Sequence, residues 1–220
     1  MGIISVEQAD HLYWLGRYTE RVYTTLRLYS HSYDMMIDGL RDSYQEFCRM
    51  IDIPNIYASR EEFTAKYPFD TDNPDSIISN LNRAYDNAIV LRESIGSESL
   101  SYIQLAIYDM NKASVSRAPL IEMQRVIDNL LAFWGIADDS IDSEQIRNII
   151  KAGKRIERVD LYARLGMGKK ELLREVHRMV PRVERSGITY NEEKLNLVRT
   201  LVESGPLDYY RIVAAVEAIL

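Results

Sequence analysis

The sequence predicts an all-α fold, an irregular antiparallel helical bundle, and three observations carry that reading. Apolar residues recur at the 3.6-residue spacing of a helix face through nearly every ordered-looking segment. No period-2 apolar alternation is bounded by hairpin turns, so no strand is expected. The breakers gather in short clusters, and short connections place consecutive helices antiparallel. At 220 residues the chain is expected to form one domain, residues 1–220, within the range of about 50 to 250 residues that domains usually occupy.

The first helix starts at a capping box, Ser5 followed by Gln8. From there Leu12, Leu15, Thr19, Val22 and Leu26 alternate steps of three and four, which lines one face and carries the helix past Tyr33. The same periodicity predicts helices at 41–52, 60–66, 74–94, 98–113, 119–133, 143–165, 169–184, 191–203 and 208–219. Breakers separate them: Ile53-Pro54-Asn55, residues 70–74, Gly166-Met167-Gly168, Ser186-Gly187 and Ser204-Gly205-Pro206. The stretch Asn73-Pro74-Asp75-Ser76 reads as a helix start, with Asn73 as the cap and Pro74 in the first turn.

Composition excludes several function classes. With 46% hydrophobic and 27% charged residues the chain is neither disordered nor of low complexity. The lone Cys48 can form no internal disulfide, and Glu7 and Asp10 stand where a signal peptide would be basic and then apolar. The longest apolar run near 130–137 is far short of the roughly 20 residues a spanning helix needs, so a cytoplasmic protein is expected. A net charge of −6 argues against nucleic acid and anionic membranes as partners. The charge is nonetheless uneven. Residues 147–185 hold twelve Lys and Arg against five Asp and Glu, which fits either docking on acidic segments such as 34–75 or a surface for an anionic ligand or partner. Arg outnumbers Lys 20 to 7, and the planar guanidinium suits two-pronged carboxylate or phosphate contacts.

No metal site or cofactor is expected. Of His11, His31 and His177, none follows a Glu by three residues, as a di-iron bundle would require. Gly166-Met167-Gly168 lacks the Gly-Lys-Ser/Thr of a phosphate loop, and no nucleophile with its base can be assembled, so no catalytic residue is singled out. Five of the fifteen tyrosines fall on the first helix, at Tyr13, Tyr18, Tyr23, Tyr29 and Tyr33, as half-buried packing or as interface anchors.

An internal repeat is the most informative feature. Gly16-Arg17-Tyr18-Thr19-Glu20-Arg21-Val22 with Arg27-Leu28 returns 137 residues later as Gly153-Lys154-Arg155-Ile156-Glu157-Arg158-Val159 with Arg164-Leu165. On a helical wheel Gly16, Glu20 and Arg27 fall within about 40° beside the apolar stripe, and Arg21 points away; the second copy places Gly153, Glu157, Arg164 and Arg158 alike. Glycine there admits a close neighbouring helix, and a carboxylate at the seam requires an Arg or backbone donor. The two helices are therefore expected to lie side by side. Their Glu–Arg pairs either lock core helices together, or converge on a cavity whose guanidiniums hold a carboxylate or phosphate, or present Arg21 and Arg158 outward to a protein.

These residues resemble the alpha-E domain family, an all-helical family of unknown activity named for a Glu-Arg motif. The resemblance rests on residues 11–21, on Asn73 to Ile78, Ala84 to Ala88, Leu91 to Ile95 and Ser97-Glu98, and on the repeat at 153–158. Tyr85 and Leu100 depart from the Arg and Trp that the family usually carries there. Family members usually accompany, or are fused to, circularly permuted ATP-grasp and transglutaminase-like proteins. The resemblance thus implies an accessory or partner protein of an ATP-grasp-type peptide ligase system, with an ATP-grasp-like ligase or a transglutaminase-like protein as partner. Two other readings stand beside it: an enzyme that uses Glu20 or Glu157 on an anionic peptide-like substrate, and a self-associating structural protein. Candidate ligand- or partner-binding residues are Arg17, Glu20, Arg21, Arg27, Asn87, Arg92, Glu157, Arg158 and Arg164. Asn87 and Arg92 are five apart on one expected helix, about 140° around it, so both cannot face one site.

Overall fold

A computed structural model describes residues 4–37 and 43–220. Among them ten α-helices and no strand are found: α1 (Val6–Ile37), α2 (Ser43–Met50), α3 (Arg60–Lys66), α4 (Ile77–Val90), α5 (Arg92–Ser114), α6 (Pro119–Ser140), α7 (Glu144–Arg164), α8 (Lys169–Glu184), α9 (Glu192–Glu203) and α10 (Tyr209–Glu217). Residues 41 and 42, expected to open the second helix, lie outside the described residues. No helix of the described chain is long and apolar enough to cross a membrane.

The chain forms two compact units, Met1–Glu20 with Asp142–Leu220, and Arg21–Ile141, and α1 contributes residues to both. The Arg21–Ile141 unit is built on an aromatic centre. Tyr29, Phe47, Phe63 and Tyr67 are fully buried. Phe63 and Tyr67, one turn apart, stack at 5.0 Å, and Phe47 meets Phe63 edge-on at 5.4 Å. The Tyr29 hydroxyl donates to the Thr64 carbonyl at 2.9 Å, so this buried phenol keeps its polar end satisfied.

Three local expectations in this unit are corrected. The cap of α4 is Ser76, whose hydroxyl accepts from the Ser79 N–H at 3.1 Å; Asn73 instead accepts from the Asp75 N–H at 2.9 Å and donates to the Tyr57 hydroxyl at 2.8 Å. Turn formation by an Asn ahead of Pro competes with capping, and here the later Ser captures the helix end. The expected helix 74–94 is also divided, because α4 ends at Val90 and Arg92 opens α5, whose path breaks at Gly96 with φ 80°. Conversely α6 runs on through Gly135 to Ser140, past the expected end at 133, with Trp134 and Ala137 buried on its inner face.

The other unit is built on α7. Helices α7 and α8 are antiparallel, as Asn148 opposite Arg182 and Arg155 opposite Glu175 require, and α10 packs back onto α7. Against α7 lies the start of α1. The adjacency expected of the repeat helices is backbone to backbone. A Cβ added to Gly16 would overlap the Ile150 carbonyl, and one added to Gly153 would overlap the Tyr13 carbonyl. Contacts advance together along both helices, from Tyr13 beside Gly153 to Arg17 beside Glu157 and Glu20 beside Arg158, so this pair runs parallel. The 137-residue offset maps Tyr13 onto Ile150 and Gly16 onto Gly153, which makes the crossing an approximate two-fold in which each glycine sits on the other copy's preceding turn.

Candidate functional site

The crossing carries a chain of ion pairs whose carboxylates are enclosed. Glu20 and Glu157 are 0% exposed and Glu175 is 1% exposed, although each bears a charge that burial penalises. Arginines offset that penalty. Arg17 Nε donates to Glu157 Oε2 at 2.6 Å, while Arg158 grips Glu20 with Nε to Oε1 at 2.6 Å and Nη2 to Oε2 at 2.8 Å. Two parallel charge-assisted bonds of this kind fix orientation as well as distance.

The repeat symmetry extends to these pairs only partly. Arg17 of the first copy reaches Glu157 of the second; its counterpart Lys154 lies close enough to Glu20 to feel its charge. Burial, countered by Glu20 and reinforced by Arg158, Arg155 and Lys151, brings the Lys154 ammonium down to about 7. For Arg17 burial is outweighed by Glu157, and its guanidinium is held above the ordinary range. It also lies over the Trp14 ring, 5.2 Å from the centroid, a cation–π contact on its remaining face.

Asp160, Glu217 and Glu175 extend the network. Asp160 takes Arg164 Nε at 3.0 Å and lies 3.7 Å from Arg17, and Arg164 continues to Glu217 at 2.6 Å. Burial and the neighbouring Glu157 raise the Asp160 carboxyl to about 6, against the opposing pull of Arg164 and Arg17. Glu175 of α8 is met by Arg155 at 2.6 Å, Arg174 at 3.0 Å, Arg178 at 3.1 Å and Arg158 at 3.8 Å. Burial alone would raise its carboxyl, but these guanidiniums, Arg155 foremost, hold it below the ordinary value. The basic region thus finds several carboxylates of the chain itself within its own unit.

The structure brings together five of the nine candidates: Arg17, Glu20, Glu157, Arg158 and Arg164. The other four belong to the Arg21–Ile141 unit. Arg21 is half-buried there; Arg27 is exposed and bonded to the Tyr23 hydroxyl at 3.1 Å; Asn87 donates to the Arg83 carbonyl at 2.7 Å; Arg92 is exposed and bonded to Ser97 Oγ at 3.3 Å. The outward placement of Arg158 is a correction. Its side chain is half-buried and turned across the seam onto Glu20, because a long flexible stem reaches round the helix when a buried carboxylate lies opposite.

Glu175, Asp160, Arg155 and Lys154 are absent from the sequence-based set. A signal existed for two of them. Glu175 falls on the apolar row Leu172, Val176, Met179, Val183, and Asp160 beside Ile156, Val159 and Ala163, where a carboxylate needs a partner.

Chemically, the enclosed carboxylates of Glu20 and Glu157 each accept from a guanidinium and present no surface to solvent. A cleft of about 400 Å³ does open in this unit, at the start of α1, but Ile4, Val6, Ala9, Ile149 and Ile188 line it together with Asp10, Tyr13 and Gln145, not Glu20 or Glu157. Among the described residues no group of three or more His, Cys, Asp or Glu side chains is placed to hold a metal ion. Comparison with known families matches residues 7–203 to Alpha-E, described as a predicted alpha-helical domain with a conserved ER motif. No curated protein and no solved structure matches the chain.

Proposed function

We propose that this chain, which belongs to the Alpha-E family, is a non-catalytic accessory partner of an ATP-grasp-type peptide ligase system that forms or processes peptide-like amide bonds in the cytoplasm. The observation that supports an accessory role is the complete burial of Glu20 and Glu157 inside Arg pairs. A general acid or base must come within hydrogen-bond reach of the group it serves, and a fully enclosed carboxylate held by a guanidinium is poorly placed to do so. Such pairs instead fix the register of the helices that carry them. The reaction class comes from the company that Alpha-E relatives keep, and the basic α7–α8 face supplies charge complementary to an acidic partner or peptide.

The test is affinity purification of the tagged chain from its source, with mass spectrometry after a salt wash, followed by reconstitution with any ATP-grasp-like or transglutaminase-like protein recovered. Stimulation or targeting of that enzyme by the chain is the expected outcome. Turnover of a peptide-like substrate by the chain alone, abolished in a Glu20→Gln variant that remains folded, would overturn the reading in favour of an enzyme.

A further inference from the structure

Three guanidiniums around one buried carboxylate leave a charge imbalance on the surface. Arg155 Nη1 bonds Oε2 of Glu175 from α7, and Arg174 Nε and Arg178 Nη1 bond Oε1 from α8. Each therefore directs one N–H at Glu175, yet a guanidinium carries five and a carboxylate can accept only about four in all. Burial places Glu175 beneath the cluster, while the side chains above it are 21%, 51% and 52% exposed for Arg155, Arg174 and Arg178. Arg158, beside them at 3.8 Å from Glu175, is already matched by Glu20. The remaining three cations against Glu175 leave an excess of two positive charges on one small face. Lys151, one turn before Arg155, and Lys170, one turn before Arg174, extend the same two rows, with Glu171 the nearest further acid on α8.

Like charges are held at such spacing at a cost, and Arg155 shows it, its guanidinium lowered by burial and by the repulsion of Arg158. Glu175 acts as the template that collects the three forks from two helices, and it satisfies only their inner side. We infer that Arg155, Arg174 and Arg178 form a surface site for a phosphoryl dianion, whose oxygens take the outward N–H groups of both helices and whose two charges match the excess. A single carboxylate would leave one cation unmatched, whereas a phosphoryl group offers three oxygens and the full charge. The site stands independently of the ligase partnership, because it needs only this chain.

Calorimetric titration of the purified chain with inorganic phosphate and with pyrophosphate, at constant ionic strength, tests it. Saturable binding by the wild-type chain is expected, weakened at least about tenfold in Arg174→Gln/Arg178→Gln and unchanged in Arg211→Gln, which removes an exposed charge of the same unit elsewhere. Both altered arginines are about half exposed, so the fold should survive, and circular dichroism verifies it; should the double variant unfold, each single variant is titrated in its place. Absence of saturable binding, or an equal loss in Arg211→Gln, would overturn the proposal. Citrate binding as tightly as pyrophosphate would overturn the phosphoryl assignment, since it would show that the face reads charge alone.

Discussion

Arg158 holds both carboxylate oxygens of Glu20 across the seam of α1 and α7, at 2.6 and 2.8 Å, joining residues 138 apart in the chain. Because Glu20 is fully enclosed, removing one partner strands the other in a low-dielectric setting. Glu20→Ala or Arg158→Ala is expected to cost about 3–5 kcal/mol in urea unfolding. Glu20→Leu combined with Arg158→Met should cost far less than the sum of the single changes, since no uncompensated charge remains. Single-variant losses below about 1 kcal/mol would show that the pair is not a structural tie.

The glycines of the repeat give a sharper contrast. Gly16→Ala and Gly153→Ala each drive a methyl into a backbone carbonyl of the facing helix and should destabilise by about 2 kcal/mol or more. Gly135 lies inside α6 with nothing within 4 Å of an added Cβ, so Gly135→Ala should instead stabilise by about 0.5–1 kcal/mol. Thermal melts of the three variants decide the matter, and the expected sign reverses between the seam and α6.

Asp160 makes stability depend on acid pH. Its carboxyl is raised from 3.8 to about 6 by burial and by Glu157, so the folded chain holds a proton that the unfolded chain has released between those values. Its contribution is greatest below about pH 4 and is lost as pH rises through about 6. Asp160→Asn keeps the shape and removes the titration. The wild-type chain should therefore lose stability relative to Asp160→Asn from pH 4 to 7, by up to about 3 kcal/mol. A difference independent of pH over that interval would rule this out.

Lys154 acts at the opposite end of the scale. Burial lowers its ammonium to about 7, so between pH 7 and 10 the unfolded chain carries a proton that the folded chain lacks. Stability of the wild-type chain relative to Lys154→Met should climb over this interval, with a slope no steeper than one proton per molecule. Paired urea titrations at pH 7, 8.5 and 10 measure it.

The repeat made much of this arrangement legible. Gly16 and Gly153 announced a close helix crossing, and a Glu beside each apolar stripe demanded a partner before any partner was known. The pairing itself was not legible. A wheel gives the direction of a Cα–Cβ bond about one axis, whereas Arg158 spans a seam whose position depends on the other helix. The second copy's Arg164 and the first copy's Arg27 occupy the same motif position but meet Asp160 and Tyr23, since each side chain responds to the unit in which it lies. The cap at Ser76 depends on a competition between adjacent turn formers, and the break at Gly96 on a positive φ that glycine permits without requiring; spacing alone decides neither.

The parallel crossing of α1 and α7 also sets an order of events during synthesis. Residues 13–20 leave the ribosome roughly 7 to 30 s before their partners at 150–158, at elongation rates of about 5–20 residues per second. The whole Arg21–Ile141 unit is translated in that interval and can complete its aromatic centre first. Until α7 emerges, Tyr13 and Gly16 have no Gly153 and Ile150 to pack against, and the Arg158 bonds to Glu20 cannot form, so the seam closes only after the Arg21–Ile141 unit has been made.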